Sequence, residues 1–305
     1  MTPLPDLRRD LAVACFTVSA VAAVPAIAGA WADATGASAR PTNPQRIVTL
    51  GAATTETVVA LGRGAQIAAT DASSREIEGV AGKATLGSVR TIGAEGVLSA
   101  GPDLILATEA VAPASAIDQI RDAQVPVAVF SDRPTVDAAK DRIHAIGSLL
   151  GAKARAVELV AELERDLAAA RALKPEKAER VLFVRSQGGA ALQMAGTGTI
   201  ADTMVGLAGG VNALGDREGY SPVTPEAVRE AAPDVLLLTT HGVARLGGED
   251  AIWTIPEVAP LARGSVRLVV VDHDLLLGFG PRTGAAALHL ARELYPPSAP
   301  EGAPG

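Results

Sequence analysis

Two fourteen-residue segments of this chain carry the same order of apolar and polar positions. Residues 95–108 read EGVLSAGPDLILAT, and residues 226–239 read EAVREAAPDVLLLT. In each segment, apolar residues at helical spacing precede Pro-Asp and a continuous apolar run. This order predicts a short helix, a tight turn and a buried parallel strand. Because the segments lie in opposite halves of the chain, they indicate two similar α/β lobes.

A long helical segment separates the two halves. Residues 152–173 contain neither Gly nor Pro, and Val157, Val160, Leu163 and Leu167 follow steps of three and four residues. About 22 helical residues span about 33 Å. Buried strands alternate with helices on both sides of this segment. The pattern predicts an α/β protein whose two lobes, each with a parallel sheet, are connected by a single long α-helix.

The N-terminus predicts export. Arg8 and Arg9 precede an apolar run over residues 11–28, and Ala28-Gly29-Ala30 is typical of a signal-peptide cleavage site. The general and twin-arginine export routes both stay open. Cys15, the only cysteine, lies too early in the apolar run for lipid attachment. We therefore expect a periplasmic protein with a cleavable signal peptide.

These patterns divide the chain into six parts. Residues 1–30 are the predicted signal peptide, and residues 31–44 are a flexible lead-in. The N-terminal lobe is predicted at 45–151, the linking helix at 152–174 and the C-terminal lobe at 178–295. The Pro- and Gly-rich tail, 296–305, is expected to be disordered.

Composition excludes several classes of function. The chain is 48% hydrophobic with a formal charge of −7, and no basic patch supports nucleic-acid binding. Without Cys15 the mature part has no thiol for a disulfide, a metal or a nucleophile. Gly196-x-Gly198 lacks the third glycine and the lysine of phosphate-binding loops, and no G-x-S-x-G motif is present. We expect a monomeric protein that is not an enzyme.

The four histidines do not stand at zinc-ligand spacing. His144 and His289 lie on predicted helices and are expected to be packing or surface residues. His241 follows the strand of the second repeat, at the carboxyl end where α/β folds place ligands, so it is a candidate ligand contact. His273, just after another predicted strand, is either a further candidate or a solvated loop residue.

Glu95 and Glu226 open the matching helices of the two repeats. A carboxylate at a helix N-terminus is favoured by the helix dipole, which alone accounts for either residue. Their symmetric placement also predicts one acidic contact in each lobe for a partner with two-fold symmetry.

The chain resembles the periplasmic substrate-binding proteins of metal-chelate ABC importers, and the likeness is closest to the haemin-binding branch. RIVTLGAATTETVVALG at 46–62, GYSPVTPEAV at 219–228 and LLLGFGPR at 275–282 carry the resemblance. It implies the class III periplasmic binding protein fold, in which two Rossmann-like lobes joined by one long helix enclose a ligand cleft. It also implies that Glu95 and Glu226 dock to a permease dimer served by an ATPase.

The ligand-binding positions depart from the haemin-binding pattern. Haemin binders typically carry Gly-Tyr-x-Arg, where this chain has Gly87-Ser88-Val89-Arg90, and some carry Ser-His-Gly-Gly, where it has Ser186-Gln187-Gly188-Gly189. A serine hydroxyl replaces a phenolate poorly on ferric iron. The expected ligand is haemin, with a corrinoid or a ferric siderophore as the alternative because the metal in such chelates is already saturated. The predicted ligand-binding residues are Ser88, Arg90, Gln187, Tyr220 and His241, with His241 also the candidate iron ligand.

Overall fold

The computed structural model describes residues 43–173, 176–186, 192–259, 261 and 264–296. The predicted signal peptide, Gln187 and most of the predicted lead-in and tail lie outside the described residues. Within the described part, no helix is long and apolar enough to cross a membrane.

The first lobe is built on a parallel five-stranded sheet in the order β3-β2-β1-β4-β5. Its strands are β1 (Ile47–Leu50), β2 (Ile67–Thr70), β3 (Ala84–Thr85), β4 (Leu104–Thr108) and β5 (Val127–Phe130). Its helices are α1 (Ala52–Ala60), α2 (Ala94–Ser99), α3 (Ala114–Asp122) and α4 (Val136–Leu149). β1 and β4 are almost wholly buried because helices cover both faces of the sheet, as their continuous apolar runs predict.

The linking helix is α5 (Lys153–Ala172), which Gly151, in the left-handed region at φ 67°, separates from α4. Leu163 and Leu167 are buried in a core shared by both lobes. Val157 does not belong to the buried stripe, because it is 57% exposed. The buried face instead includes Ala156, one residue before Val157, and Leu159, two residues after it.

The second lobe has a six-stranded sheet that is only partly parallel. Its strands are β6 (Arg180–Ser186), β7 (Leu192–Ala195), β8 (Val211–Asn212), β9 (Tyr220–Pro222), β10 (Val235–Thr239) and β11 (Arg267–Val271). β6, β8, β10 and β11 are parallel, as predicted, but β6–β7 and β7–β9 are antiparallel. The helices are α6 (Ile200–Leu207), α7 (Pro225–Ala231), α8 (Thr240–Leu246), α9 (Glu249–Ile252), α10 (His273–Leu277) and α11 (Thr283–Leu294).

The two repeated segments form the same unit. In the first lobe α2 leads through Pro102-Asp103 into β4, and in the second α7 leads through Pro233-Asp234 into β10. Each aspartate accepts a backbone N–H at the start of the first strand of its lobe: Asp103 from Arg46 at 3.0 Å and Asp234 from Arg180 at 2.9 Å. The repeated order of residues therefore gives both lobes the same hydrogen bond between an aspartate and the start of a strand.

Two local predictions were wrong. Threonine is a typical N-cap residue, so the sequence predicts a cap at Thr54 or Thr55, but α1 begins at Ala52 after Gly51, and both threonines lie inside it. Gly51 has φ 113°, and a Cβ there would lie 2.8 Å from Thr108 Cγ2, so only glycine fits. Residues 71–83 were expected to be exposed. Asp71 is instead buried, because it accepts the Gly51 N–H at 2.8 Å.

Candidate ligand cleft and docking residues

Ser88 and Arg90 lie at the carboxyl edge of the first sheet. The segment that carries them is fixed by two backbone hydrogen bonds: Leu86 N–H to Thr70 O at 2.8 Å and Ala72 N–H to Gly87 O at 2.7 Å. The Ser88 hydroxyl accepts the Arg90 N–H at 3.3 Å and so caps a short 3-10 helix. Both side chains belong to exposed residues. The first lobe thus presents an exposed guanidinium beside a hydroxyl that is already used in a cap.

Arg185, at the end of β6 in the second lobe, lies within range of the charge of Arg90 in the first lobe. Its guanidinium carbon lies 3.3 Å from the centroid of the Tyr220 ring, and its Nε and Nη2 donate to Gln193 Oε1 at 3.2 and 3.0 Å. Burial lowers the pKa of Arg185; Tyr220 opposes this, and the charge of Arg90 adds to it. Two arginines from opposite lobes are therefore close enough to repel each other.

Tyr220 is positioned by β9 beneath Arg185. Burial raises the pKa of its phenol, and the neighbouring Arg185 only partly opposes that effect. The phenol therefore keeps its proton at neutral pH. Its ring provides an aromatic surface in the cleft rather than a phenolate.

His241 and His273 meet although 31 residues separate them in the chain. β10 and β11 are parallel neighbours, with Thr239 opposite Val271, and α8 and α10 begin directly after them. The imidazole rings stack with centroids 4.6 Å apart and planes at 30°. Spacing along the sequence could not reveal this pair, because strand order alone brings the two histidines together.

His273 is not a solvated loop residue. It begins α10 and is half-buried, and its Nδ1 lies 3.2 Å from Thr239 Oγ1. Burial lowers the pKa of His273, and the nearby His241 lowers it further. The neutral imidazole is therefore the main form at neutral pH.

One side-chain contact crosses the cleft at the histidine pair. His241 Nε2 lies 3.2 Å from Glu76 Oε2, which belongs to the segment after β2 in the first lobe. Arg245, one turn further along α8, donates to Ser186 O at 3.5 Å. Across the described ranges, no group of three or more His, Cys, Asp or Glu side chains is arranged to hold a metal ion.

The structure describes four of the five predicted ligand-binding residues. Ser88, Arg90, Tyr220 and His241 lie on the two sides of this cleft, while Gln187 lies outside the described residues. Sequence reasoning missed Glu76, Arg185 and Arg245, whereas His273 had been one of its candidates. Arg185 could have been found, because it ends a predicted strand where α/β folds place ligands. The α8 helix was missed, since Gly242 weakens a helical pattern.

Two further polar contacts join the lobes away from the histidines. Glu56 of α1 accepts from Arg282 Nε, and Arg142 donates to Phe279 O in the loop before α11. Burial raises the pKa of Glu56, and Arg282 opposes this. Burial also opposes the charge of Arg282, but the pairing with Glu56 raises the net pKa of Arg282. Burial dominates for Glu56, whose side chain is 9% exposed, whereas the pairing dominates for Arg282, whose side chain is 50% exposed.

The two predicted docking residues lie on separate lobes. Glu95 is in the first turn of α2 and Glu226 in the first turn of α7, and both are exposed. α7 is capped by Thr224 and carries Pro225 at its start, whereas α2 has no side-chain cap. Glu226 also pairs with Arg229 at 3.1 Å. Both carboxylates therefore occupy matching helix starts on the surface, a placement that the helix dipole favours.

The profile of a family described as "Periplasmic binding protein" matches residues 47–261. The chain belongs to this family. A curated relative, the uncharacterized ABC transporter substrate-binding lipoprotein YvrC of Bacillus subtilis (strain 168), is 27% identical over 259 residues, which cover 83% of this chain and 81% of the relative. This member of the periplasmic binding protein family is thus a substrate-binding protein of an ABC transporter and not an enzyme.

Solved structures extend the likeness. The periplasmic heme-binding protein RhuT from Roseiflexus sp. RS-1, in apo form, is 37% identical with a TM-score of 0.77, covering 82% of this chain and 98% of that chain. BhuT in complex with two hemes is 34% identical with a TM-score of 0.76, covering 82% and 97%. HutB of Vibrio cholerae is 31% identical with a TM-score of 0.74, covering 83% and 99%. The predicted class III periplasmic binding protein fold is confirmed.

Proposed function

We propose that this substrate-binding protein captures haemin in its cleft and delivers it to an ABC permease dimer. The observation that carries the proposal is Arg185 stacked on the Tyr220 ring, within range of the charge of Arg90 from the opposite lobe and accompanied by a stacked imidazole pair. Like charges that face each other in this way favour an anionic ligand between them. The similarity to RhuT, BhuT and HutB, each described as heme-binding, supports the same ligand class.

Haemin matches the cleft group by group. Its two carboxylates suit guanidinium groups, which bind carboxylates through paired N–H donors. Its planar ring suits the Tyr220 face, and its ferric iron suits an imidazole. In this proposal Arg90 and Arg185 hold the carboxylates, Tyr220 contacts the ring and His241 the iron. Ser88 and Gln187 stay predicted ligand contacts.

The test is a titration of the mature chain with haemin, followed by the Soret absorption band. We expect a saturable shift, and we expect Arg90→Ala to weaken binding by about 10-fold, the effect of losing one charge-assisted hydrogen bond. Lys83→Ala is a matched control, because Lys83 is a cation of the same lobe that bonds Ala65 O at 3.3 Å. No saturable change in the wild-type spectrum would contradict the proposal.

Delivery is proposed to use Glu95 and Glu226, one on each lobe, against the two halves of the permease dimer, with its ATPase driving transport. Each carboxylate stands exposed at a helix start, where it can meet a cation of a partner. The proposed site of action is the periplasm, after removal of residues 1–30. The mass of the protein recovered from the periplasm would test the cleavage, and its elution volume would test the expected monomer.

One observation favours a second ligand class. The Ser88 hydroxyl is engaged in a helix cap, and Tyr220 keeps its proton, so neither supplies an anionic oxygen for iron. A chelate whose metal is already saturated, such as a corrinoid or a ferric siderophore, needs no such oxygen. Competition separates the two classes: cobalamin or a ferric siderophore that displaces haemin, or binds when haemin does not, would favour this alternative.

A further inference from the structure

The geometry points to His241 as a nitrogen ligand for the iron of the captured chelate, with Glu76 as the group that holds this nitrogen until the iron displaces it. The inference rests on the proposed function and names the atom that meets the metal. It depends on three contacts: His241 with Glu76, His241 with His273, and His273 with the end of β10.

The orientation of His241 leaves one edge of its ring toward the opposite lobe. His273 covers one ring face at 4.6 Å between centroids. The edge that carries Nε2 faces Glu76 Oε2 at 3.2 Å. Since Glu76 belongs to the first lobe, an occupant that enters between the lobes meets Nε2 by replacing Glu76.

The contact with Glu76 can be exchanged at low cost. The two side chains are 53% and 41% exposed, for Glu76 and His241 respectively, so water screens their attraction. Glu76 also has Arg75 within 3.8 Å, which remains beside it after the exchange. A bond from imidazole nitrogen to ferric iron is much stronger than this exposed contact, so the iron wins the competition.

His273 acts as a positioning residue for His241. Its Nδ1 is hydrogen-bonded to Thr239 Oγ1, and its backbone N–H donates to Thr240 Oγ1, both at 3.2 Å. Thr239 Oγ1 also accepts the Gly242 N–H at 3.2 Å, which fixes the turn of α8 that carries His241. His273 thus restrains the His241 ring by stacking, while Thr239 fixes the turn that carries it.

Two probes test the inference on the full mature chain. Haemin carries iron, whereas metal-free protoporphyrin IX has the same ring and carboxylates without it. We expect His241→Ala to lower haemin affinity by about 10-fold or more and to leave protoporphyrin affinity unchanged. We also expect the imidazole-ligated absorption and electron-paramagnetic-resonance spectra to disappear, and added imidazole to restore them in His241→Gly. His144→Ala, on α4, is the matched control.

Two further variants test the roles of the neighbours. Glu76→Ala should raise haemin affinity several-fold, because it removes the competing carboxylate, and should not change protoporphyrin affinity. His273→Ala should weaken haemin binding less than His241→Ala and broaden the spectrum of the bound iron. Circular dichroism and melting curves establish that each variant is folded.

The outcomes separate the inference from the proposed function. If wild-type protein and His241→Ala bind haemin with the same affinity and the same spectrum, the inference is wrong and the proposed function is unaffected. Wild-type protein that binds neither porphyrin would overturn the function itself. A weaker haemin complex in Glu76→Ala would show that Glu76 is a direct contact, and the exchange of ligands would then be wrong.

Discussion

The two lobes share a repeated unit but present unequal chemistry to the cleft. The first lobe presents exposed side chains on short connecting segments: Arg90 lies in a 3-10 helix that Ser88 caps, and Glu76 lies in a turn. The second presents side chains that are tied to one another, such as Arg185 stacked on Tyr220 and His241 stacked on His273. A duplicated framework can thus keep its outer helices alike while its cleft edges diverge.

The connections that follow the strands cause this difference. In the second lobe α8 and α10 begin immediately after β10 and β11, and the antiparallel strands β7 and β9 extend the sheet beside β6. In the first lobe β4 is followed by a five-residue connection before α3. Helices that start at a strand end hold side chains more rigidly than loops do. We therefore expect the second lobe to contribute more binding free energy.

The largest expected effect is the loss of transport when the charges of Glu95 and Glu226, on the outer helices α2 and α7, are reversed. In the double variant Glu95→Arg/Glu226→Arg, like charges would face each other at both proposed contacts, which costs several kcal/mol. We expect transport in vesicles that contain the permease and its ATPase to fall about 1,000-fold, with haemin affinity unchanged. The single variants should give similar, smaller losses. A marked inequality between them, or normal transport in the double variant, would contradict symmetric docking.

Removal of Arg282 tests the ion pair with Glu56 that joins the two lobes. Arg282→Ala leaves Glu56 buried without its partner, so we expect the free energy of unfolding to fall by about 3 kcal/mol. Because burial raises the pKa of Glu56, the carboxyl protonates in the folded protein at a higher pH than in the unfolded chain. The loss should therefore be greatest above the folded-state pKa of Glu56 and shrink as the pH falls through it.

Denaturant unfolding of wild type and Arg282→Ala across a pH series measures this effect. Arg282→Lys is the matched control, since it keeps the charge beside Glu56 and should recover part of the stability. A loss that stays constant with pH would mean that Glu56 is not the group left uncompensated.

The next effect compares the two arginines directly. We expect Arg185→Ala to lower haemin affinity by about 30-fold and Arg90→Ala by about 10-fold, in the range of charge-assisted hydrogen bonds. The order follows because Arg185 is held by Tyr220 and Gln193, whereas Arg90 must be ordered on binding. Isothermal titration of both variants at two salt concentrations measures the difference. The reverse order would place the main anion contact in the first lobe.

The smallest expected effect concerns the ion pair beside one docking residue. Glu226 and Arg229 form an exposed i,i+3 pair, with side chains 75% and 61% exposed. Arg229→Ala should change the free energy of unfolding by less than about 0.5 kcal/mol. If the pair instead restrains Glu226, transport should rise slightly in this variant. A large loss of stability would show that Arg229 has a further structural role.

The sequence alone determined the framework of this protein. The apolar runs of the two repeated segments predicted β4 and β10, and the segment without Gly or Pro predicted α5. These predictions succeeded because hydrophobic periodicity and turn chemistry act between residues that are near in the chain.

Only the tertiary structure decided the chemistry of the cleft. Strand order placed His241 beside His273, and the packing of the two lobes placed Glu76 against His241 and Arg90 toward Arg185. None of these pairs has a characteristic spacing, because the residues come from different strand ends. Burial then changed the pKa of Tyr220 and of Glu56, an effect that depends on the surrounding atoms and not on neighbours in the sequence.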